Sequence, residues 1–243
     1  MRIKVLTPVA DNLSDIEKDM EQYLRPFLRE NTELVFETLK YGFPSVENAV
    51  SDTLNGAQTV INLVDSDTAH LDGMFVNCFD DPGVYPCREL GKIPVIGPYA
   101  AALSSAILTG ERIGIITTDE AGILSEERKL RETGLQNRVV AIQAVDLNVE
   151  DIKTLPEKVL EKLEEVCIQM VQVNRVNAIC LGCTAMFYVT EELKKRLREK
   201  GIKISIIEPL LNGMLMLEMI LTQGLTNYIP ACVDLSKLVW MQK

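Results

Sequence analysis

The chain has 243 residues, a formal net charge of −10 and an ordinary apolar content, enough length to bury a large core as one domain or two small ones. The acidic balance argues against nucleic acid, whose phosphates are bound by clustered Lys and Arg, and no apolar run approaches the ~20 residues that span a membrane. Six cysteines (Cys78, Cys87, Cys167, Cys180, Cys183 and Cys232) form no disulfide-framework pattern. Residues 1–12 read as a strand rather than a signal peptide, so reduced thiols and a cytoplasmic location are expected.

In chain order, a strand is expected over 3–7. A helix follows, with Ser14 and Glu17 fitting a capping box. A strand over 34–39 leads to a helix from about Ser45 to Gly56. Two further strands are expected over 74–77 and 93–97. The second half opens with a strand over 113–117 and a helix from about Gly122 to Gly134. A strand over 139–145, an amphipathic helix from Leu155 to about Asn174 and a strand over 178–182 come next. Thr190, Glu191 and Glu192 open a helix that closes at Lys200-Gly201, acids first and bases last as the helix dipole favours. The last pair is a strand over 204–207 and a helix from about Leu210 to Thr222.

The halves repeat. RIKVLT at 2–7 returns as RIGIIT at 112–117, and KIPVIGP at 92–98 returns as KISIIEP at 203–209. Short β-branched runs alternating with helices, four strands per half, predict an α/β fold. It is expected as two pseudo-symmetric parallel-sheet lobes, Rossmann-like or flavodoxin-like, with the active site in the cleft between them. The first lobe takes 1–98 plus about 210–243, and the second takes 99–209.

Each half places a cysteine where a strand ends: Cys78 after GMFVN and Cys183 after AICLG. Ligands of open parallel sheets bind beyond the carboxyl ends of the strands, and Thr7, Thr117 and Thr118 end other strands at that edge. A cysteine near a helix N-terminus is expected to have a lowered thiol pKa. A lone cysteine at a strand end is more often packing than chemistry; two at matched places reverse that weighting. Cys180 points to the opposite face of its strand and is assigned to the core, with Cys87, Cys167 and Cys232. Cys180-Leu181-Gly182-Cys183 lacks the second Cys or His pair of a structural zinc site, and the only histidine, His70, is assigned to the surface or to packing. Asp80-Asp81-Pro82-Gly83 reads first as a turn. No metal is expected.

Three segments resemble the aspartate/glutamate racemase superfamily, nearest to its hydantoin or allantoin racemases. They are Gly42-Phe43-Pro44-Ser45-Val46-Glu47; Asp72-Gly73 through Cys78-Phe79 with Asp81-Pro82-Gly83; and Leu181-Gly182-Cys183. Two departures stand out: Thr7-Pro8-Val9 replaces an Asn-Pro-Asn segment, and Cys183-Thr184 is closer to the amino-acid racemases.

The resemblance implies a cofactor-independent racemase or epimerase in which Cys78 and Cys183 exchange the roles of base and acid on opposite faces of the substrate. Thiols suit this work because their pKa lies near working pH. The hydroxyls of Thr117, Thr118 and Thr184, with backbone amides, would stabilise the enolate. Phe43, Phe79, Ser45 and Pro8 would contact a small-molecule substrate, and Ser45 could equally be only an N-cap. The expected substrate is a 5-substituted hydantoin or related cyclic ureide, and the expected assembly a homo-oligomer. The alternatives are an aspartate- or glutamate-type racemase, a maleate isomerase-like enzyme with one nucleophilic cysteine, and a non-catalytic small-molecule binder.

Overall fold

The computed structural model describes residues 1–147 and 149–227, with backbone alone at 149, 150 and 153. Cys232 and the 228–243 part of the expected first lobe lie outside the described residues. The first half runs β1 (Arg2–Thr7), α1 (Ser14–Leu24), β2 (Glu33–Thr38), α2 (Ala49–Asp65), β3 (Gly73–Val76), α3 (Val84–Glu89) and β4 (Val95–Ile96). Helix α4 (Pro98–Thr109) leads into β5 (Ile113–Thr117), α5 (Glu120–Thr133), β6 (Val139–Ala144), α6 (Val149–Thr154) and α7 (Pro156–Asn174). The chain continues through β7 (Ala178–Leu181), α8 (Phe187–Glu199), β8 (Ser205–Ile207) and α9 (Pro209–Thr222).

The eight expected strands form two four-stranded parallel sheets, ordered β2-β1-β3-β4 and β6-β5-β7-β8. The order is the same in both, so the repeat in the sequence is a repeat of topology. Parallel strands are covered by helices on both faces and therefore carry continuous apolar runs. Every residue of β3, β5 and β7 is buried. In the first sheet, Ile3, Val5 and Phe75 pack with Met20 and Leu24 of α1 and with Leu210, Met214 and Leu217 of α9. On its other face Leu6, Met74 and Val76 meet Leu63 of α2 and Cys87 of α3. In the second sheet, Ile116, Ile179 and Leu181 pack on α7 and α8, while Ile113, Ile115 and Cys180 pack on α4 and Leu130 of α5. No described helix is long and apolar enough to cross a membrane.

Four local expectations are corrected. Ser14 forms no capping box: Leu13 is the N-cap of α1 and makes no side-chain cap bond, while the Ser14 amide donates to Asn12 Oδ1 at 3.2 Å. Helix α2 starts at Ala49 rather than Ser45. Its capping box is built by Asn48 and Ser51, each side chain accepting from the other residue's backbone N–H. Gly56 does not end α2, which continues to Asp65. A Cβ on Gly56 would stand 3.0 Å from the Gly83 amide nitrogen, so this glycine serves a close approach of two backbones. Helix α8 begins at Phe187, and Thr190 lies inside it, donating to the Met186 carbonyl at 2.8 Å.

Candidate active site

Strand register places the two cysteines equivalently. Leu6 of β1 pairs with Val76 of β3, and Ile116 of β5 pairs with Leu181 of β7; Cys78 and Cys183 each follow two residues later, at the carboxyl edge of their sheets. They share one cavity of about 170 Å³. A single water needs about 10–15 Å³ on this measure, so the space suits one small molecule.

Around Cys183 the chain turns directly into helix. Gly182 packs so tightly on β5 that a Cβ would come within 2.7 Å of the Ile116 carbonyl oxygen, which accepts the Gly182 N–H at 2.6 Å. Cys183 then N-caps a short 3₁₀ turn, Thr184–Met186, that runs on into α8. Its side chain makes no cap hydrogen bond to that turn, and the backbone amides of Ala185 and Met186 act on the thiol only as influences that favour the thiolate.

The Cys78 loop is held from outside instead. The Asp81 amide donates to the Cys78 carbonyl at 3.0 Å. Asp81 and Gly83 both adopt left-handed backbone, with φ of 55° and 79°; aspartate tolerates this and glycine adopts it freely. The Asp81 carboxylate accepts from the Tyr99 amide at 3.1 Å, at the start of α4. The Asp80 carboxylate accepts from Ser125 at 2.8 Å and from Lys129 at 3.1 Å, both on α5. The Asp80 backbone amide is the neighbouring group that favours the Cys78 thiolate.

Neither thiol is activated in the way expected from a helix N-terminus. Burial raises Cys183 to about 11, against the opposing donors of Ala185 and Met186. Burial likewise raises Cys78 well above its ordinary value, and the Asp80 charge adds to it; the Asp80 amide and Lys129 only partly offset this. The amides are present, but desolvation outweighs them.

Of the other residues selected from the sequence, Phe79, Thr117, Thr118, Thr184 and Ser45 line the cavity with the two cysteines. Thr117 and Thr184 are buried, and Thr117 meets α5 so closely that a Cβ on Gly122 would overlap its hydroxyl, 2.1 Å away. Ser45 sits at the rim and caps nothing, since Asn48 is the N-cap of α2. Pro8 and Phe43 lie outside the lining. Pro8 is buried, and the Phe43 side chain is 43% exposed. Their carbonyls accept from Asn55 Nδ2 at 2.8 and 3.1 Å, so they belong to the frame of the rim. Cys87, Cys167 and Cys180 are fully buried in the cores, and His70 is exposed.

Three residues were not singled out from the sequence. Asn55, fully buried on α2, ties the Pro8 loop to the 42–48 rim; a Cβ on Gly42 (φ 138°) would reach its Oδ1 at 2.5 Å. Asn77 lines the cavity beside Cys78, its Nδ2 donating to Thr7 Oγ1 at 3.2 Å. Lys129 anchors Asp80 from a helix some 50 residues away in the chain. Only Asn77 could have been suspected, from its place before the cysteine.

One wall of the cavity is apolar, formed by Val9, Leu13, Ile16, Met20 and Phe187. The charged residues lining it are Glu47, Asp80 and Asp119; no Lys or Arg is among the described lining residues.

Comparison with known proteins agrees with this architecture. The chain is 25% identical over 224 residues to a hydantoin racemase of Pseudomonas sp. (strain NS671), covering 92% of this chain and 87% of that protein. Its structure is similar to allantoin racemase from Klebsiella pneumoniae, with a TM-score of 0.84, 25% identity and coverage of 94% and 90%. It also shares the fold of allantoin racemase from Pseudomonas fluorescens, with a TM-score of 0.89, 21% identity and coverage of 99% and 100%. A family model described as Asp/Glu/Hydantoin racemase matches residues 14–214, and the chain therefore belongs to that family of isomerases.

Proposed function

We propose that this racemase inverts the α-carbon of a neutral cyclic ureide, a 5-substituted hydantoin, with Cys78 and Cys183 as the acid–base pair. The observation that carries the proposal is the lining of the cavity: two register-matched thiols share a space whose charged lining is acidic. An amino-acid substrate brings carboxylates, which Glu47 and Asp119 would repel, Asp80 being paired with Lys129, and no lysine or arginine is among the described lining residues to receive them. A hydantoin ring is neutral and presents N–H donors and carbonyl acceptors. The apolar wall of Leu13, Ile16, Met20 and Phe187 suits an apolar substituent at ring position 5.

In the proposed step, one cysteine as thiolate takes the proton from the carbon next to the ring carbonyl. The other, as thiol, delivers a proton to the opposite face, and the reverse reaction exchanges the roles. The enolate oxygen is stabilised by backbone amides near the cysteines and by the hydroxyls of Thr117, Thr118 and Thr184. Unpaired thiols at all five described cysteines suit a reducing compartment such as the cytosol.

The test is proton NMR in D₂O with a panel of 5-substituted hydantoins, aspartate and glutamate. Deuterium should enter position 5 of a hydantoin with an apolar substituent while its optical rotation decays. Exchange of the amino acids with none of the hydantoins sinks the ureide assignment.

A further inference from the structure

We infer that Lys129, on α5 of the second half, positions Cys78 of the first half, an inference that rests on the two-thiol function proposed above. Lys129 is 8% exposed. Its ammonium donates to Glu126 Oε1 at 2.7 Å, to Asp80 Oδ1 at 3.1 Å and to the Phe79 carbonyl at 3.3 Å. It also lies 4.4 Å from the centroid of the Tyr99 ring and 5.3 Å from that of Phe79. Two of its three donors thus end on the residues that immediately follow Cys78.

The link to Cys78 is short. Asp80 Oδ1 accepts from both Lys129 and Ser125 of α5, and the next residue, Asp81, donates its amide to the Cys78 carbonyl at 3.0 Å. Fixing the Asp80 side chain and the Phe79 carbonyl fixes the two residues that follow Cys78 and the turn that closes on its carbonyl. A buried ammonium is costly unless its neighbours are arranged for it, and a well-packed apolar side chain would hold the two halves together as well. What the apolar side chain could not do is aim a carboxylate and a carbonyl at once. The Lys129 charge also opposes, in part, the burial that disfavours the Cys78 thiolate. Among the described residues, no such hydrogen-bonded arm reaches those that follow Cys183; the backbone groups that favour its thiolate, Ala185 and Met186, belong to the turn that it opens. Lys129 therefore serves one thiol and leaves the other alone, a selectivity that a general structural role lacks.

The experiment measures racemisation and deuterium exchange in D₂O, with a racemising hydantoin, for Lys129→Met/Glu126→Gln, which removes both buried charges together. Wild type, Cys78→Ala and the triple variant are measured beside it. Racemisation by the double variant should fall about 100-fold with KM held within about threefold, as for an ångström-scale misplacement of a reacting group. The triple variant should exchange the enantiomer that Cys183 deprotonates as fast as Cys78→Ala does. Racemisation by the double variant within about threefold of wild type overturns the positioning role. So does an equal further loss of exchange in the triple variant, which would mean that Lys129 supports both thiols. Lys129→Arg keeps the charge but re-aims the donors and should lose about tenfold in kcat; an unchanged kcat overturns the role even if the double variant does not fold. If Cys78→Ala itself racemises like wild type, the two-thiol function fails first, and the positioning role falls with it.

Discussion

Cys78 and Cys183 occupy the same register of two sheets with the same strand order, yet their surroundings are built by different means. Cys183 opens its own 3₁₀ turn, which runs on into α8, so its position is decided locally. Cys78 sits in a loop with two left-handed residues, pinned by the start of α4 and by Ser125 and Lys129 of α5. What is repeated is the sheet, which sets where a sulfur stands. What differs is the loop, which sets the shape and charge beside each sulfur. A pair of thiols can thus treat the two faces of a carbon alike while unequal loops grip the rest of the substrate.

The strongest way to break this comparison is to remove one sulfur at a time. Cys78→Ala and Cys183→Ala should each lower racemisation by at least about 10²–10⁴-fold, the range of a lost general acid or base. Each should still exchange deuterium into one enantiomer, and not the same one. Loss of all exchange in both variants would show that the sulfurs do not act on separate faces.

Titration comes next. Because burial raises Cys183 to about 11 and Cys78 well above its ordinary value, only a small fraction of either is thiolate near neutrality. The active base is the deprotonated form, so kcat/KM should climb about tenfold per pH unit between pH 6 and 9. A plateau beginning below pH 8 would contradict the burial described for these sulfurs.

A smaller perturbation separates the two loops. Gly182→Ala would drive a Cβ against the Ile116 carbonyl and shift Cys183 alone. Racemisation should fall about 10–100-fold, with exchange at the Cys78 face retained. Equal losses at both faces would mean that the turns are mechanically coupled.

The least effect is expected on stability. Burial raises the Asp81 carboxyl to about 7, against the amides of Tyr99 and Ala100 that lower it, whereas the unfolded chain titrates near ~3.9. Its folded value is raised, so its contribution is full below about pH 4 and is lost as pH rises through 7. The urea midpoint of wild type should therefore be higher at pH 5 than at pH 8. Asp81→Asn should narrow the corresponding difference in unfolding free energy, midpoint times m, by about 1–4 kcal/mol; an unchanged difference would assign the pH dependence to other acids such as Glu208, raised to about 7 by burial.

All eight strands were legible from short β-branched or apolar runs between helix signals, three of them (β3, β5 and β7) buried throughout, and the repeat matched them across halves. The helices were less so. Helix α4, PYAAALSSAILT, lies between the second sheet and α9 and is apolar on several sides, which leaves no strong periodicity to read. Gly56 looked like a stop because close contact and helix termination both select glycine. The matched cysteines were legible as a pair through sequence order alone. Their raised titration was not, because a sequence displays the helix that follows a thiol but not the packing that partly buries it. Lys129 was invisible for a related reason: its partners at 79 and 80 become neighbours only when the second half closes on the first.

The placement of Cys180 has a consequence for oxidative damage. In an extended strand, residues three apart face opposite sides of the sheet; Cys180 is sealed in one core while Cys183 borders the other and the cavity. A sulfenic acid formed on Cys183 thus finds no resolving thiol in its own CxxC; the thiol that shares its cavity is Cys78, from the other half of the chain, and Cys78 is the group placed to condense with it. The spacing that looks like a redox motif is, in this fold, split between a core and a cavity, so that any partner for Cys183 comes from across the cleft.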